Sequence, residues 1–318
     1  MTRLLHLGNV VVDLVLNVPF LPERGGDVLA AASGVSPGGG FNVLAAAARQ
    51  GLAAAYAGAH GRGPFGDLAR AGLAAEGIEV LLPPRTVPDT GVVVAIVDGT
   101  GERTFLTAPG AEATLTAADL AAIQAAPGDA VYLSGYSLLH PANRAALLDW
   151  LPRLDQAGRV VFFDPGPLVE QVPPDALAAV LARADWLTCN AREAAILSGR
   201  DRSGRADPMA AARVLAGRQP GVIVRTGPSG CIVSADGGEP VEVPGFAVTA
   251  IDANGAGDAH AGVFIAALAS GSTPRDAARR ANAAAALAVT RPGPATAPGA
   301  AELARFLDSA ASEPRADC

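Results

Sequence analysis

From residue 130 onward, the sequence alternates between short apolar runs typical of buried strands and longer segments with helical spacing. The predicted strands are residues 130–134, 160–164, 186–189, 221–225 and 231–234, and the predicted helices are residues 143–156, 174–184, 208–217 and 274–289. Strands that alternate with helices in this way form a parallel sheet with helices on both faces. The pattern therefore predicts an α/β fold with a mostly parallel central sheet.

Polar side chains stand where several of these strands end. Asp164 is the last residue of one strand, Thr226 follows a second strand and Asn190 follows a third. Glu193 lies three residues after Asn190. Ligands of open α/β sheets bind outside the carboxyl ends of the strands. We therefore expect a ligand site at this edge of the sheet.

A glycine-rich stretch lies where a loop becomes a helix, at Gly255-Ala256-Gly257-Asp258. β-like residues precede it, apolar residues at helical spacing follow it, and Gly271 is a plausible helix stop. Glycines allow backbone N–H groups to turn toward one point, and the first turn of a helix leaves its N–H groups unpaired. This combination predicts an anion site.

Asp258 places a carboxylate beside that predicted anion site. One interpretation is a glycine-rich turn capped by aspartate, a favoured N-cap residue. The other is phosphoryl transfer, in which the amides hold the charge of the transferred phosphate and the carboxylate takes the proton of the acceptor.

The N-terminal segment offers a second group of candidates. Residues 4–12 are predicted to form a buried strand that Gly8-Asn9 interrupts, with Asp13 at its carboxyl end. Asp13 is either a turn or cap residue or a ligand for substrate hydroxyl groups. Three glycines at 38–40 allow a ligand close to the backbone, and Asn42 at the start of a predicted helix, 43–50, caps that helix or contacts substrate.

Two segments interrupt the α/β pattern with β-like sequence. Residues 14–35 are punctuated by proline and glycine, and residues 91–98 and 102–107 flank a Gly-Thr-Gly turn and predict a hairpin. We expect them to pair into one small sheet. Helices are also predicted at 116–124 and 300–307, and residues 313–318 are expected to be a frayed tail.

A second glycine pattern, Gly61-x-Gly-x-x-Gly66, follows a predicted strand at 53–59 and precedes a helix. It matches a dinucleotide-binding fingerprint. Against that reading, Pro64 removes one N–H group from the loop, and the next strand ends in Pro83-Pro84 instead of an acidic residue.

Composition excludes some chemistry. All 24 basic residues are arginine, so a lysine Schiff base or a P-loop lysine is excluded, and a protein cation at a phosphate must be arginine. The net charge of −7 without a basic tract argues against a nucleic-acid partner. Three dispersed cysteines suggest a reducing cytoplasm. The N-terminus has no pattern of a signal peptide, and no apolar run reaches the roughly 18 residues of a membrane span.

The ordered motifs resemble those of the ribokinase family of carbohydrate kinases, also called the PfkB family, over about residues 4–308. Asp252-Ala-Asn-Gly-Ala-Gly-Asp258 is similar to its C-terminal signature, and Gly38-Gly39 followed by Asn42 to its N-terminal one. Asn190-x-x-Glu193 and Thr226-Gly-x-x-Gly230 match further motifs in the same order. This chain has Ala253 where the signature has threonine, and it has two residues between Gly39 and Asn42 where many members have three.

The resemblance implies a role for each matching position. Asp258 is the implied base, and the amides of Gly255, Ala256 and Gly257 are the implied anion hole. The implied substrate contacts are Asp13, Gly38, Gly39, Asn42 and Asp258. The implied ATP contacts are Asn190, Glu193, Thr226, Gly227, Gly230, Asn282 and Ala286. Glu193 is expected to hold Mg²⁺ through water, and the implied K⁺ site is Asp252, Ala253, Val289 and Gly293.

The resemblance also implies a domain organisation and an activity. Residues 1–13, 37–87 and 109–310 form the expected ribokinase-like core, residues 14–36 and 88–108 a β lid, and residues 311–318 a tail. The expected activity is that of an ATP-dependent sugar kinase in the cytoplasm, with no membrane partner, and a homodimer formed through the β segments is allowed. A nucleoside kinase of the same family and a non-catalytic sugar- or nucleotide-binding protein on this fold are the alternatives.

Overall fold

The computed structural model describes residues 2–154, 158–200 and 207–312. Its larger sheet has nine strands in the order β13-β12-β11-β10-β9-β8-β1-β4-β5. These strands are β1 (Arg3–Leu7), β4 (Ala53–Tyr56), β5 (Glu79–Val80), β8 (Ala130–Ser134), β9 (Val160–Asp164), β10 (Trp186–Asn190), β11 (Gly221–Arg225), β12 (Gly230–Ser234) and β13 (Val241–Pro244). The strands from β11 to β5 pair in parallel, whereas β12 and β13 are antiparallel additions at one edge. The predicted mostly parallel sheet is confirmed.

Four further strands form a separate small sheet in the order β3-β2-β6-β7. They are β2 (Val10–Asn17), β3 (Ala32–Gly39), β6 (Val92–Val97) and β7 (Arg103–Ala108). β6 and β7 form the predicted antiparallel hairpin, and β2 pairs antiparallel with β3 and parallel with β6. The expected second sheet is therefore confirmed.

Helices cover the larger sheet. They are α1 (Gly40–Arg49), α2 (Pro64–Ala75), α3 (Ala117–Ala122), α4 (Gly135–Leu139), α5 (Pro141–Trp150), α6 (Pro174–Arg183), α7 (Ala191–Ser198), α8 (Pro208–Ala216), α9 (Ala256–Ala269), α10 (Pro274–Val289) and α11 (Ala300–Ser312). None of them, across the ranges described, is long and apolar enough to cross a membrane.

Alternate residues of the central strands enter two different cores. In β8, Val131 and Leu133 pack into one apolar cluster, whereas Ala130 and Tyr132 pack into the other. The period of two along a strand produces this division, and burial on both faces explains why the strands appear as continuous apolar runs.

Some boundaries differ from the predictions. The predicted strand 4–12 is two strands in different sheets, so Asp13 lies inside β2 of the small sheet and not at the carboxyl end of a core strand. Gly8-Asn9 lets the chain change sheets, and residues 10–16, which are apolar except for Asp13, fit a strand of either sheet. The helix predicted at 143–156 ends at Trp150, before Pro152, and the last part of that range lies outside the described residues. The strand predicted at 53–59 ends at Tyr56, and α11 extends past 307 to Ser312; the tail, 313–318, is outside the described residues.

Hydrogen bonds to a buried tyrosine fix the connection between β1 and β2. The hydroxyl of Tyr56 accepts a hydrogen bond from the Val10 N–H at 3.3 Å, and it lies 3.0 Å from the Gly8 carbonyl oxygen and 2.9 Å from that of Ala59. The Gly40 N–H donates to the Asn9 carbonyl oxygen at 2.8 Å. The transition from the large to the small sheet is thereby fixed to β4 and α1.

Candidate active site

The start of α9 has unpaired backbone donors. Gly255 caps the helix with φ of 73°, and a Cβ at this position would lie 1.8 Å from the Pro294 carbonyl oxygen, so only glycine fits. The Ala256 N–H donates a long hydrogen bond, 3.4 Å, to the Ala253 carbonyl oxygen, whereas within the described part of the chain the N–H groups of Gly255 and Gly257 have no acceptor. These are the properties of an anion-binding helix terminus.

Asp258 lies in the first turn of α9 and is held by a residue from α1. Asn42 Nδ2 donates to Asp258 Oδ2 at 2.9 Å. Burial raises the pKa of Asp258 to about 6, the Asn42 hydrogen bond opposes this rise, and the negative charge of Asp164 adds to it. A carboxylate with a pKa near 6 is a stronger base than an exposed aspartate and is still ionised at neutral pH.

Asp13 and the glycines of β3 lie together. A Cβ on Gly38 would be 2.2 Å from Asp13 Oδ2, and one on Gly39, at φ of 60°, would be 2.3 Å from the Asn9 carbonyl oxygen. Asp13 is 8% exposed, and burial raises its pKa to about 6. Nearby, Asn42 Oδ1 is buried without a hydrogen-bond donor among the described residues. Two carboxylates and one free amide oxygen thus provide acceptors for hydroxyl groups.

Asn190 and Glu193 form the capping box of α7. The Asn190 side chain accepts from the Glu193 N–H at 2.9 Å, and Glu193 Oε2 accepts from the Asn190 N–H at 2.8 Å. Burial, together with the charge of Asp164, raises the pKa of Glu193 to about 7, against the opposing effect of Arg225. The pair therefore has a structural role at the end of β10 in addition to any ligand contact.

Arg225, the last residue of β11, was not among the predicted site residues. Its guanidinium lies 3.0 Å from Asp164 Oδ2 and donates to Thr188 Oγ1 at 2.6 Å. The sequence does contain a signal for Arg225, because among the described parallel strands β11 alone ends in a basic residue. The ends of β9, β10 and β11 thus place a carboxylate, a capping box and a guanidinium side by side.

A cavity of about 840 Å³ opens beside these residues. Asn190, Arg225 and Gly257 contribute polar groups to its lining, and Phe246 and Val248 contribute apolar surface. Of the predicted ATP contacts, those that line the cavity are Asn190, Gly227, Gly230, Asn282 and Ala286. A mixed lining of this size is typical of a small-molecule site.

Three predicted contacts have mainly structural partners. Thr226 does not line the cavity, and its N–H closes the turn to the Gly230 carbonyl oxygen at 2.8 Å. Asn282 Nδ2 donates to the carbonyl oxygens of Val243 and Pro244, and its Oδ1 lies 3.1 Å from Nε2 of His260. Glu193 is 1% exposed and does not line the cavity, and both of its oxygens accept hydrogen bonds from Asn190.

The residues predicted to bind K⁺ are close together but already have partners. Asp252 Oδ1 accepts from the Asn254 N–H at 2.7 Å and pairs with Arg103 of the small sheet, and Oδ2 accepts from the Gly293 N–H at 3.0 Å. The Val289 carbonyl oxygen accepts from the N–H groups of Ile251 and Asp252. Acceptors occupied by N–H donors and a guanidinium do not fit a cation cage.

Carboxylates near the cavity suit a magnesium ion bound mainly through phosphate and water. Asp164 and Glu193 both lie within 4 Å of Arg225, yet the described residues contain no group of three His, Cys, Asp or Glu side chains that could hold a metal. Mg²⁺ usually needs only one or two carboxylates when substrate phosphates supply other ligands. Asp164 and Glu193 supply that number, but both oxygens of Glu193 already accept hydrogen bonds from Asn190, so Glu193 would contact such an ion through water.

The second glycine pattern binds one of the protein's own carboxylates. Asp89 accepts hydrogen bonds from the N–H groups of Gly63, Phe65 and Gly66, each at 3.0 Å. The amides that a dinucleotide pyrophosphate would need are therefore occupied, and the fingerprint interpretation is wrong.

Comparison with known proteins agrees with this geometry. The pfkB family carbohydrate kinase model matches residues 1–300. The chain is 32% identical over 304 residues to the uncharacterized sugar kinase YegV of Escherichia coli (strain K12), covering 93% of this chain and 91% of YegV.

Two solved structures share the fold. Fructokinase from Vibrio cholerae O395, in its fructose-, ADP- and calcium-ion-bound form, gives a TM-score of 0.77 at 28% identity, covering 96% of this chain and 99% of that one. Aminoimidazole riboside kinase from Salmonella enterica, complexed with aminoimidazole riboside and an ATP analog, gives 0.78 at 26% identity, covering 96% and 100%. The two sheets and their helices define a ribokinase-like kinase. The chain belongs to the PfkB family of carbohydrate kinases.

Proposed function

We propose that the protein is an ATP-dependent sugar kinase that transfers the γ-phosphate to a hydroxyl group, with Asp258 as the base and the amides of Gly255, Ala256 and Gly257 as the anion hole. The observation that carries the proposal is the Asp258 carboxylate, held by Asn42 beside unpaired amides at the start of α9. A protein that only binds a ligand has no need of a base beside an anion site.

In this proposal the acceptor hydroxyl lies between Asp258 and the transferred phosphate. Asp258 takes its proton, while Asp13, Gly38, Gly39 and Asn42 orient the sugar through hydrogen bonds to its other hydroxyl groups. The Asp13 carboxylate and Asn42 Oδ1 support this role, because the described residues leave their acceptor capacity unused. Positioning and charge neutralisation are the main requirements of phosphoryl transfer.

ATP is proposed to occupy the cavity, with its polyphosphate toward Asn190 and Gly257 and its base against the apolar lining formed by Phe246, Val248 and Ala286. Thr226, Gly227 and Gly230 form the adjoining turn, and Asn282 lies on the base side. Mg²⁺, when bound, would neutralise phosphate charge, with Glu193 contacting it through water beside Asp164. K⁺ is left out of the proposal, because the acceptors of Asp252 and Val289 are already occupied.

We also propose that residues 14–36 and 88–108 act as a lid over the sugar, which would exclude water and limit ATP hydrolysis. Exposed apolar side chains on this sheet, including Val35, Phe105 and Leu106, support a homodimer formed through it. Sedimentation at micromolar concentration measures this state. The unpaired buried thiols of Cys189 and Cys231 support a cytoplasmic location.

A panel of acceptors tests the activity. ADP release is measured with free sugars, sugar phosphates and nucleosides, the last because the similar Salmonella structure holds a riboside. We expect a sugar to give the highest kcat/KM, and Asp258→Asn to lower turnover by about 10²–10⁴. Asp149→Asn, an exposed aspartate of α5 paired with Arg153, is the matched control.

Three results would redirect the assignment. Full turnover by Asp258→Asn would remove this residue as the base. A nucleoside as the best acceptor would establish the alternative activity. Calorimetric binding of sugar or nucleotide without turnover on any acceptor would indicate a binding protein.

A further inference from the structure

Among the described residues that line the cavity, Arg225 is the single permanently charged cation. Its side chain is 14% exposed and is anchored on one side: one terminal nitrogen donates to Thr188 Oγ1 at 2.6 Å, and the other lies 3.0 Å from Asp164 Oδ2. Glu193 Oε2 is 3.8 Å away. The fixed end of the guanidinium therefore faces β9 and β10.

The other side of the guanidinium faces the start of α9. A methyl group placed on Gly257 would lie 3.5 Å from Arg225 Nε and 3.6 Å from Cζ, so the group is in contact range of this turn. Within the described part of the chain, the Nε–H has no acceptor. An unused donor thus lies within contact range of the first turn of α9, beside the proposed anion hole.

The negative charges around the Arg225 guanidinium need a cation to balance them. Asp164, Glu193 and Asp258 all act electrostatically on the site, and a nucleotide polyphosphate would bring several more negative charges. The chain contains no lysine. A guanidinium with five donors in a fixed plane can keep Thr188 and still bind two phosphate oxygens.

We propose that Arg225 is a catalytic residue that binds the phosphoryl group in transit, releasing Asp164 and donating to the phosphate oxygens beside Gly257. This inference rests on the proposed kinase activity. In the step it assists, the acceptor oxygen forms a bond to the γ-phosphorus and its proton goes to Asp258. The bond from the γ-phosphorus to the β–γ bridging oxygen breaks, and its electron pair stays on the β-phosphate of ADP.

Asp164 has a separate role in this arrangement. It pairs with Arg225 at 3.0 Å before the nucleotide arrives and so holds the guanidinium beside the cavity. Asp164 is itself tied by a 3.0 Å hydrogen bond from the Gly166 N–H, which fixes the carboxylate that the guanidinium leaves. Asp164 is therefore a positioning residue.

The test compares Arg225→Met with Arg225→Lys and with Arg3→Met. Arg3 pairs at 3.2 Å with the buried Asp129, and it stands at the opposite end of the parallel strands, so its variant removes a similar ion pair far from the cavity. We expect Arg225→Met to lower kcat by about 10²–10³, with the KM for the acceptor little changed. Arg3→Met is expected to lose stability but keep kcat.

Two further measurements separate catalysis from folding. The affinity of ADP with aluminium fluoride, which mimics the phosphoryl group in transit, is expected to fall by about 10²-fold in Arg225→Met while the affinity for ADP alone stays within a few fold. Calorimetry gives both values without an acceptor, so they decide the role of Arg225 even if the sugar kinase assignment fails. Guanidinium chloride at millimolar concentration is expected to restore part of the kcat of Arg225→Ala.

The double variant Arg225→Met/Asp164→Asn removes both charges of the pair. If Arg225 acts on phosphate, the double variant stays as slow as Arg225→Met. Recovery of kcat in the double variant would mean that Arg225 only neutralises Asp164, and it would overturn the proposal. Equal loss of affinity for ADP and for ADP with aluminium fluoride would also overturn it.

Discussion

Asn42 Nδ2 donates a 2.9 Å hydrogen bond to Asp258 Oδ2, joining two residues that lie 216 positions apart. The two helices that carry them approach closely because α9 has Gly262 at the contact, where a Cβ would lie 2.4 Å from the Val43 carbonyl oxygen. Packing between α1 and α9 therefore sets the geometry of the proposed base.

The first prediction concerns the pH profile of Asn42→Ala. The Asn42 hydrogen bond lowers the pKa of Asp258, so its removal raises that pKa above its value of about 6. A base works only when ionised, so the acid limb of kcat is expected to move to higher pH. Gln50→Ala, at the C-cap of α1, is the control. An unchanged acid limb would show that Asn42 does not act through Asp258.

The second prediction separates Gly257 from Gly255. Gly257→Ala meets only ordinary contacts, at 3.5 Å or more from Arg225, so the fold should persist. Its methyl group would enter the space proposed for phosphate, and kcat is expected to fall by about 10²-fold or more. Gly255→Ala is expected to lose several kcal/mol of stability, about 3 or more, because it combines a backbone clash with positive φ.

The control for both glycine variants is Gly271→Ala. Gly271 also has positive φ but no atom within 4 Å of a new Cβ. Its change to alanine therefore measures only the cost of holding a residue with a Cβ at positive φ, about 1 kcal/mol. Thermal unfolding and kcat are measured for all three. Unimpaired turnover by Gly257→Ala would place the phosphate elsewhere.

The third prediction concerns the cap of α2. Asp89→Asn weakens hydrogen bonds to three amides of the glycine loop, and the expected loss of stability is about 1–2 kcal/mol at pH 7. Although partial burial acts in the opposite direction, these amides and that of Thr90 lower the pKa of Asp89 below its ordinary 3.8. The carboxylate therefore stabilises the fold above that value, and the stabilisation is lost as the pH falls through the pKa of the folded state.

Urea unfolding across pH measures this difference. Asp67→Asn, an exposed aspartate in the first turn of the same helix, is the matched control. A gap between wild type and Asp89→Asn that persists unchanged into strong acid would contradict the prediction.

The fourth prediction concerns monovalent cations. Because Arg103 already pairs with Asp252, exchanging K⁺ for tetramethylammonium should change the turnover and melting temperature of the wild type little. Arg103→Met frees the Asp252 carboxylate, and we expect K⁺ to raise the melting temperature of this variant. Strong K⁺ activation of the wild type would restore the cation site that the sequence resemblance implies.

Local pattern predicted much of this structure. The alternation after residue 130, the hairpin of β6 and β7 and the loop-to-helix change at Gly255 depend on neighbouring residues, so they are visible in one sequence. The charge partners of the site are different. Arg225 meets Asp164 because β9, β10 and β11 lie side by side, and that adjacency joins residues 61 positions apart.

The same limit explains one error and one ambiguous motif. Residues 10–16, six of them apolar and one Asp13, do not say which sheet they join, so the sequence predicts Asp13 at the end of a core strand and not inside β2. The loop from Gly61 to Gly66 has the right spacing for an anion, but its occupant, Asp89, lies 23 residues beyond Gly66. Glycine spacing predicts the shape of a backbone loop, and the tertiary structure decides what it binds.

The hydroxyl of Tyr56 also limits how the small sheet can move. Swinging the whole sheet about Gly8-Asn9 would break the hydrogen bond from the Val10 N–H to this hydroxyl, and a buried donor left unpaired costs about 1–3 kcal/mol. We therefore expect the small sheet to bend from Leu14 onward, while the residues of β2 before Leu14 stay fixed to the nine-stranded sheet. Asp13, one residue inside that boundary, would then keep its alignment with Asp258 through every catalytic cycle.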